Sequence, residues 1–389
     1  MIPYGKHNVR LSEAVKVAWQ VRFHSLTQGS KIEEFERLVA KYVGANYAVA
    51  VSSATAGLHI AMLALDLPQN SKVITSPISF VASSNSIIYA GHNPLFVDID
   101  TDTLNVDLEL LEEQVQLDPE IRGIIPVHFA GLPCDMSRLN QVAKARGIRV
   151  IEDAAHALGA SYANGQKVGS CSFSDMTVFS FHPVKSITTG EGGMVTTNDY
   201  ELYKKLIRLR SHGINKLDDE FRNPILSMTA GIVNPWYYEM IELGFNFRLT
   251  EIQAVLGISQ MKRLDSFISR RVKLVERYKD LMRNSSKFSP AQKISNTGSA
   301  NHIFPIRINF ASSSTSRSEL MSHLKENGVS SQVHYIPIPA QPFYKQLGYS
   351  ISDIPNSFAY YEEALTIPLF PSLKGREQRK IIKLLEALI

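Results

Sequence analysis

Three short segments carry residue types that could act on one ligand. Lys185 lies in Phe179-Ser180-Phe181-His182-Pro183-Val184-Lys185-Ser186, a polar stretch followed by Gly190-Glu191-Gly192-Gly193. Glycines there free the backbone to fold close to a bound molecule. A lysine confined in such a loop can lose its proton and form a Schiff base with a carbonyl, whereas most lysines are solvated surface cations. Asp153 ends the apolar run Val150-Ile151-Glu152 and precedes Ala154-Ala155-His156. The carboxyl end of a strand is where open α/β sheets bind ligands. A carboxylate there can keep the pyridine nitrogen of pyridoxal phosphate protonated, so that the ring accepts electrons. It can also cap a helix or, with His156, ligate a metal, although no further ligand lies at metal spacing. Finally, Ser52-Ser53-Ala54-Thr55-Ala56-Gly57 follows an apolar run and opens a helical one. Such a junction offers free N–H groups and a helix dipole to a phosphate, or else a serine simply caps the helix.

The elements that must position these residues alternate along the chain. Short β-rich runs at 47–51, 72–75, 94–99, 123–127 and 149–152, then 176–181 and 194–197, enclose helical patterns at 55–65, 79–89 and 136–146. This is the signature of an α/β fold, a mostly parallel sheet covered on both faces by helices. A polar stretch at 215–235 breaks the alternation, and one long amphipathic helix is expected over 250–282. Beyond it come a strand at 302–310, a helix at 316–326, a strand at 329–335 and a last helix at 376–388, which make a small α+β domain. The expected division is 1–250 for the large domain and 251–389 for the linker helix and small domain.

Composition narrows the function. Lys and Arg total 41 against 37 Asp and Glu, with no basic run, so nucleic acid is not an expected partner. No stretch approaches the ~20 apolar residues of a membrane span, and the amino terminus lacks the apolar core of a signal peptide. Cys134 and Cys171 form no Cys-x-x-Cys pair and read as free thiols of a cytoplasmic protein. A nicotinamide oxidoreductase would need a Gly-x-Gly-x-x-Gly after an early strand, and none is present. A non-catalytic sensor would have no use for both Lys185 and Asp153.

The three segments, with Gly190-Glu191-Gly192-Gly193 and Gly244-Phe245-Asn246-Phe247-Arg248-Leu249-Thr250-Glu251-Ile252-Gln253, resemble the sugar aminotransferase family of fold-type I pyridoxal-phosphate enzymes. The resemblance implies a mostly parallel seven-stranded sheet sandwiched by helices, with a smaller carboxy-terminal α+β domain. It implies that Lys185 links to the cofactor and moves protons, and that Asp153 pairs with the pyridine nitrogen. Ser180 and the backbone of Ala54 and Thr55 would hold the phosphate, Phe80 would stack on the ring, and His156 would lie near its phenolic oxygen. Asn246 would reach the phosphate from a neighbouring subunit of a homodimer with shared active sites. Related dehydratases carry histidine where this chain has Lys185, so lysine implies transamination.

A finer resemblance rests on Ile2-Pro3-Tyr4-Gly5-Lys6, Leu26-Thr27-Gln28-Gly29, Thr75-Ser76-Pro77-Ile78-Ser79-Phe80, Pro235-Trp236-Tyr237-Tyr238 and Gln332-Val333-His334-Tyr335. It is to members that move the amino group of L-glutamate to C4 of a UDP-linked 4-keto-6-deoxy-N-acetylhexosamine. Tyr4, His24, Ser25, Leu26, Thr27, Ala54, Ser180, Asn246, His334 and Tyr335 would then contact the sugar nucleotide. The segment 51–60 also resembles members that aminate a UDP-linked 4-keto pentose. No metal is expected.

Overall fold

The computed structural model describes residues 1–216, 221–293 and 298–389. Seven strands, β1 (Tyr47–Val51), β2 (Lys72–Thr75), β3 (Asn93–Phe96), β4 (Ile121–Ile125), β5 (Arg149–Asp153), β6 (Met176–Ser180) and β7 (Gly193–Thr197), form one sheet in the order β1-β7-β6-β5-β4-β2-β3. β7 runs antiparallel to both of its neighbours, β1 and β6, and every other pair is parallel. Helices cover both faces, α2 (Ser30–Val43) on one and α3 (Ala54–Ala64) and α4 (Ala82–Tyr89) on the other, while α1 (Leu11–Phe23) packs outside them on the helix Glu251–Met261.

Strand periodicity divides the sheet between two apolar cores. Ile124, Val150, Phe179 and Met194 pack into one core with Phe35 of α2, while Ile125, Ile151, Val178 and Val195 pack into the other with Leu58 and Met62 of α3. Successive residues of a strand face opposite sides, so near-continuous apolar runs are what a sheet buried on both faces requires. The same alternation sends Glu152 towards the α2 side and Asp153 towards the α3 side.

The expected single helix over 250–282 is two, Glu251–Met261 and Leu264–Met282. The second half is amphipathic, the first is covered on every side, and the break falls at Lys262 and Arg263. There the Arg263 guanidinium donates to the Asn8 carbonyl (3.0 Å) and side chain (2.7 Å) and pairs with Glu13 (3.2 Å), contacts from the amino-terminal segment that no local pattern records. The second helix packs on a three-stranded antiparallel sheet, Phe288–Pro290, Phe304–Ile308 and Ala364–Ile367, and on the last helix, Gly375–Leu388.

The strand expected at 329–335 does not form. Ser330 donates to the Ile2 carbonyl (2.8 Å) and Gln332 to the Thr366 carbonyl (3.1 Å), so the segment divides its bonds between two partners and builds no continuous ladder. Of the polar stretch at 215–235, residues 217–220 lie outside the described residues. The remainder holds a short helix and short paired pieces that leave Ile225 and Ile232 exposed, with Trp236 exposed just beyond them. No helix among the described residues is long and apolar enough to cross a membrane.

Candidate active site

A cavity of about 630 Å³ opens where β5 and β6 end and α3 begins, and Lys185 and Asp153 both line it. The loop after β6 is closed on itself: Phe181 donates to the Gly192 carbonyl (2.9 Å), Thr189 to the Phe181 carbonyl (3.0 Å) and Lys185 to the His182 carbonyl (2.9 Å). This closure turns the Lys185 side chain inward. Burial lowers its pKa to about 8, against the opposing pull of the Asp153 charge, so an appreciable share is free amine near neutral pH.

Asp153, nearly buried, accepts from the Ser83 hydroxyl (2.6 Å) and the Ala155 N–H (3.1 Å). Ser83 is itself within 2.7 Å of the Ser79 hydroxyl. The carboxylate is thereby fixed at the cavity wall.

At the start of α3 the Ser53 hydroxyl caps the helix by accepting from Ala56 (3.1 Å). The N–H groups of Ala54 and Thr55 have no acceptor among the described residues, and both residues line the cavity. Gly193, paired with Ser180 at the sheet, packs so near that a Cβ there would lie 2.7 Å from the Ala54 nitrogen. Only glycine lets β7 approach the helix start this closely. Ser180 and the two free N–H groups therefore offer donors to a phosphate at a helix N-terminus.

The opposite lining is aromatic. Tyr4 contacts His334 (ring centroids 5.6 Å), His334 contacts Tyr335 (4.8 Å), and the Tyr335 hydroxyl lies 3.1 Å from His156 Nε2. Burial and the neighbouring Lys185 charge hold His156 well below the usual imidazole range and bring His334 down to about 3. Burial also keeps Tyr335 protonated. Lys185 thus faces the uncharged rings of His156 and His334. Phe80 lines the cavity with its side chain exposed, an open face for a planar ring.

Tyr4, Ala54, Thr55, Phe80, Asp153, His156, Ser180, Lys185, His334 and Tyr335 thus meet around one space. His24, Ser25, Leu26 and Thr27 do not: they are exposed beyond α1, where the Leu26 carbonyl accepts from Glu251 (3.0 Å). Asn246 is also exposed and outside this chain's cavity lining, its backbone bridged to Ser211. Sequence reasoning missed His302, which is buried at the cavity with its ring 4.5 Å from that of His156. It is delivered by the small domain, and no spacing in the sequence marks it. Among the described residues no cluster of three or more His, Cys, Asp or Glu could hold a metal ion.

An amine of lowered pKa, a fixed carboxylate, an unpartnered helix start and an exposed aromatic face fit the aldehyde, ring nitrogen, phosphate and ring plane of pyridoxal phosphate. Comparison with known proteins agrees with this chemistry. The model of the DegT/DnrJ/EryC1/StrS aminotransferase family matches residues 9–386. UDP-4-amino-4,6-dideoxy-N-acetyl-beta-L-altrosamine transaminase of Campylobacter jejuni is 35% identical over 380 residues, 97% of this chain and 95% of its own. Helicobacter pylori PseC, described as an aminotransferase involved in the biosynthesis of pseudoaminic acid, superposes with a TM-score of 0.89 at 28% identity, covering 100% of this chain and 98% of its own. Streptococcus pneumoniae Spr1654, solved in PMP and PLP forms, superposes in the PMP form with a TM-score of 0.89 at 31% identity, covering 100% and 99%. The chain belongs to the DegT/DnrJ/EryC1/StrS aminotransferase family.

Proposed function

We infer that this chain is a pyridoxal-phosphate aminotransferase that moves the amino group of L-glutamate to C4 of UDP-2-acetamido-2,6-dideoxy-β-L-arabino-hex-4-ulose. The product is UDP-4-amino-4,6-dideoxy-N-acetyl-β-L-altrosamine. The observation that carries the chemistry is the Lys185 amine, its pKa lowered to about 8, in one cavity with Asp153 and the free start of α3. The likeness to the Campylobacter jejuni transaminase supports the sugar.

Bound there, pyridoxal phosphate supplies an aldehyde that captures an amine and a protonated ring that accepts the electrons of a breaking C–H bond. Asp153 would hold the ring nitrogen protonated, while Ser180, Ala54 and Thr55 would hold the phosphate. Phe80 would cover the ring, and His156, fixed by Tyr335, would stand near the phenolic oxygen. Lys185 Nζ removes the α-proton of glutamate and, in the second half of the cycle, delivers a proton to C4 of the sugar. The rings of His156 and His334, held uncharged, do not compete with the lysine for that proton.

Two copies complete the site in this reading. Asn246 and the segment His24-Ser25-Leu26-Thr27 reach the cavity of a partner copy, and Tyr4, His334 and Tyr335 hold the sugar from within. The exposed apolar residues Leu11, Trp19 and Phe23 of α1 and Ile225, Ile232 and Trp236 supply surface suited to such contact. The divisions 1–250 and 251–389 are the units that enclose the cavity.

The test is to give the enzyme pyridoxal phosphate, glutamate and UDP-linked 4-keto-6-deoxy-N-acetylhexosamines epimeric at C5, and to identify products by mass spectrometry and NMR. Amination of the L-arabino sugar is expected. Amination of the D-xylo epimer alone, or of a UDP-linked 4-keto pentose alone, would replace the substrate and keep the reaction.

A further inference from the structure

Arg271, on the helix Leu264–Met282, is only 1% exposed, yet among the described residues no carboxylate pairs with it. One terminal nitrogen donates instead to three backbone carbonyls, of His302 (2.8 Å), Leu369 (3.0 Å) and Asn301 (3.3 Å). Burial lowers its pKa to about 10, which leaves it charged at neutral pH. Taking a guanidinium out of water without a counter-ion is costly, and an apolar side chain of similar volume would avoid that cost.

The carbonyls it gathers belong to two segments that reach the Lys185 cavity separately. His302 lines the cavity against the ring of His156. Leu369 donates its own N–H to the Tyr4 carbonyl (3.0 Å), and Tyr4 lines the cavity beside His334. The amino-terminal segment is fixed further by Ile2, which donates to the Gly328 carbonyl (2.7 Å) and accepts from Ser330 (2.8 Å). It then passes Val184, the neighbour of Lys185, so closely that a Cβ at Gly5 would lie 3.3 Å from the Val184 side chain. Tyr278, on the same face of the helix as Arg271, donates to the Pro368 carbonyl (2.9 Å) and steadies the same turn.

We propose that Arg271 is a positioning residue: through the carbonyls of Leu369 and His302 it sets where Tyr4 and the His302 ring lie around Lys185, and so how tightly the acceptor sugar is held. The consequence for the sugar rests on the function proposed above. The consequence for the backbone does not.

The experiment compares holoenzymes of the wild type, Arg271→Met and Arg271→Lys by hydrogen–deuterium exchange and by separate half-reactions. In Arg271→Met the amides of Leu369, Ile2 and Ser330 are expected to exchange about tenfold faster or more, while those of β4 to β7 keep wild-type rates. The KM for the acceptor sugar rises about tenfold, and the glutamate half-reaction, followed by cofactor absorbance without sugar, stays within about threefold. Arg271→Lys, which offers a point charge in place of the planar fork, falls between the two. Unchanged exchange at Leu369 and Ser330, or equal slowing of both half-reactions, would overturn the proposal. If Arg271→Met does not fold, Arg271→Lys against wild type carries the same two comparisons. If the wild type aminates none of the sugars, the functional reading fails, and exchange alone decides the positioning role.

Discussion

Glu152 and Asp153 are consecutive carboxylates on β5, and they illustrate opposite uses of one functional group. Glu152 is sealed: Tyr162 (2.6 Å), Thr177 (3.1 Å), Ser174 and His128 Nε2 (2.7 Å) surround its two oxygens, and no surface remains exposed. Its acceptor sites are filled by the protein itself: His128 donates from Nε2, because its Nδ1 accepts from the Cys134 N–H (3.1 Å) and carries no proton. Asp153 accepts from two donors and faces a cavity that holds Lys185. Strand alternation alone separates a structural carboxylate from one left for a ligand. Chemistry is found where partners are incomplete, and stability where they are complete.

Removing the open side should abolish chemistry while leaving the fold. In Lys185→Ala the visible absorption of lysine-linked cofactor should vanish and amination should fall by about 10³-fold or more, with melting temperature near that of the wild type. Retained turnover would break the contrast.

On the sealed side the effect reverses. Glu152→Gln turns an amide NH₂ towards donors that need an acceptor and should cost about 1–3 kcal/mol of stability, read by denaturant melts, with an unchanged cofactor spectrum per folded molecule. A variant as stable as the wild type would break the sealed half of the contrast.

Asp153→Ala, at the open position, should retain bound cofactor but slow both half-reactions by about 10²-fold, since the ring loses the charge that keeps its nitrogen protonated. A smaller effect is expected from pH. With Lys185 at a pKa of about 8, its free-amine fraction rises from about one tenth at pH 7 to about nine tenths at pH 9. Capture of added pyridoxal phosphate by cofactor-free protein, followed by stopped flow, should accelerate roughly tenfold over that interval and then level off. Acceleration persisting towards pH 11 would mark an ordinary lysine.

The parts of the site that were legible in the sequence are those in which a strand and the turn after it are contiguous. Asp153 at the end of β5, Ser180 and Lys185 after β6, and Ala54 and Thr55 after β1 each declare themselves by a local change from apolar to small or polar residues. His302 and Arg271 give no such signal, because packing of the small domain brings His302 to the cavity and Arg271 to the carbonyls behind it. Alternating residues at 329–335 mimic a strand, but their backbone bonds go to Ile2 and Thr366 in turn. The unbroken helical pattern across 250–282 hides a break at which Arg263 bonds Asn8 and Glu13. Helices α1 and α2 also escaped a reading that began from the strands.

The most direct test of the central claim follows nitrogen itself. Enzyme loaded with pyridoxal phosphate is given ¹⁵N-labelled glutamate and the UDP-linked L-arabino 4-keto sugar, with Lys185→Ala in parallel, and the sugar nucleotide is weighed by mass spectrometry. The account predicts a ¹⁵N-amino sugar from the wild type and none above background from the variant. An unlabelled sugar from the wild type, or equal label from both proteins, would contradict it.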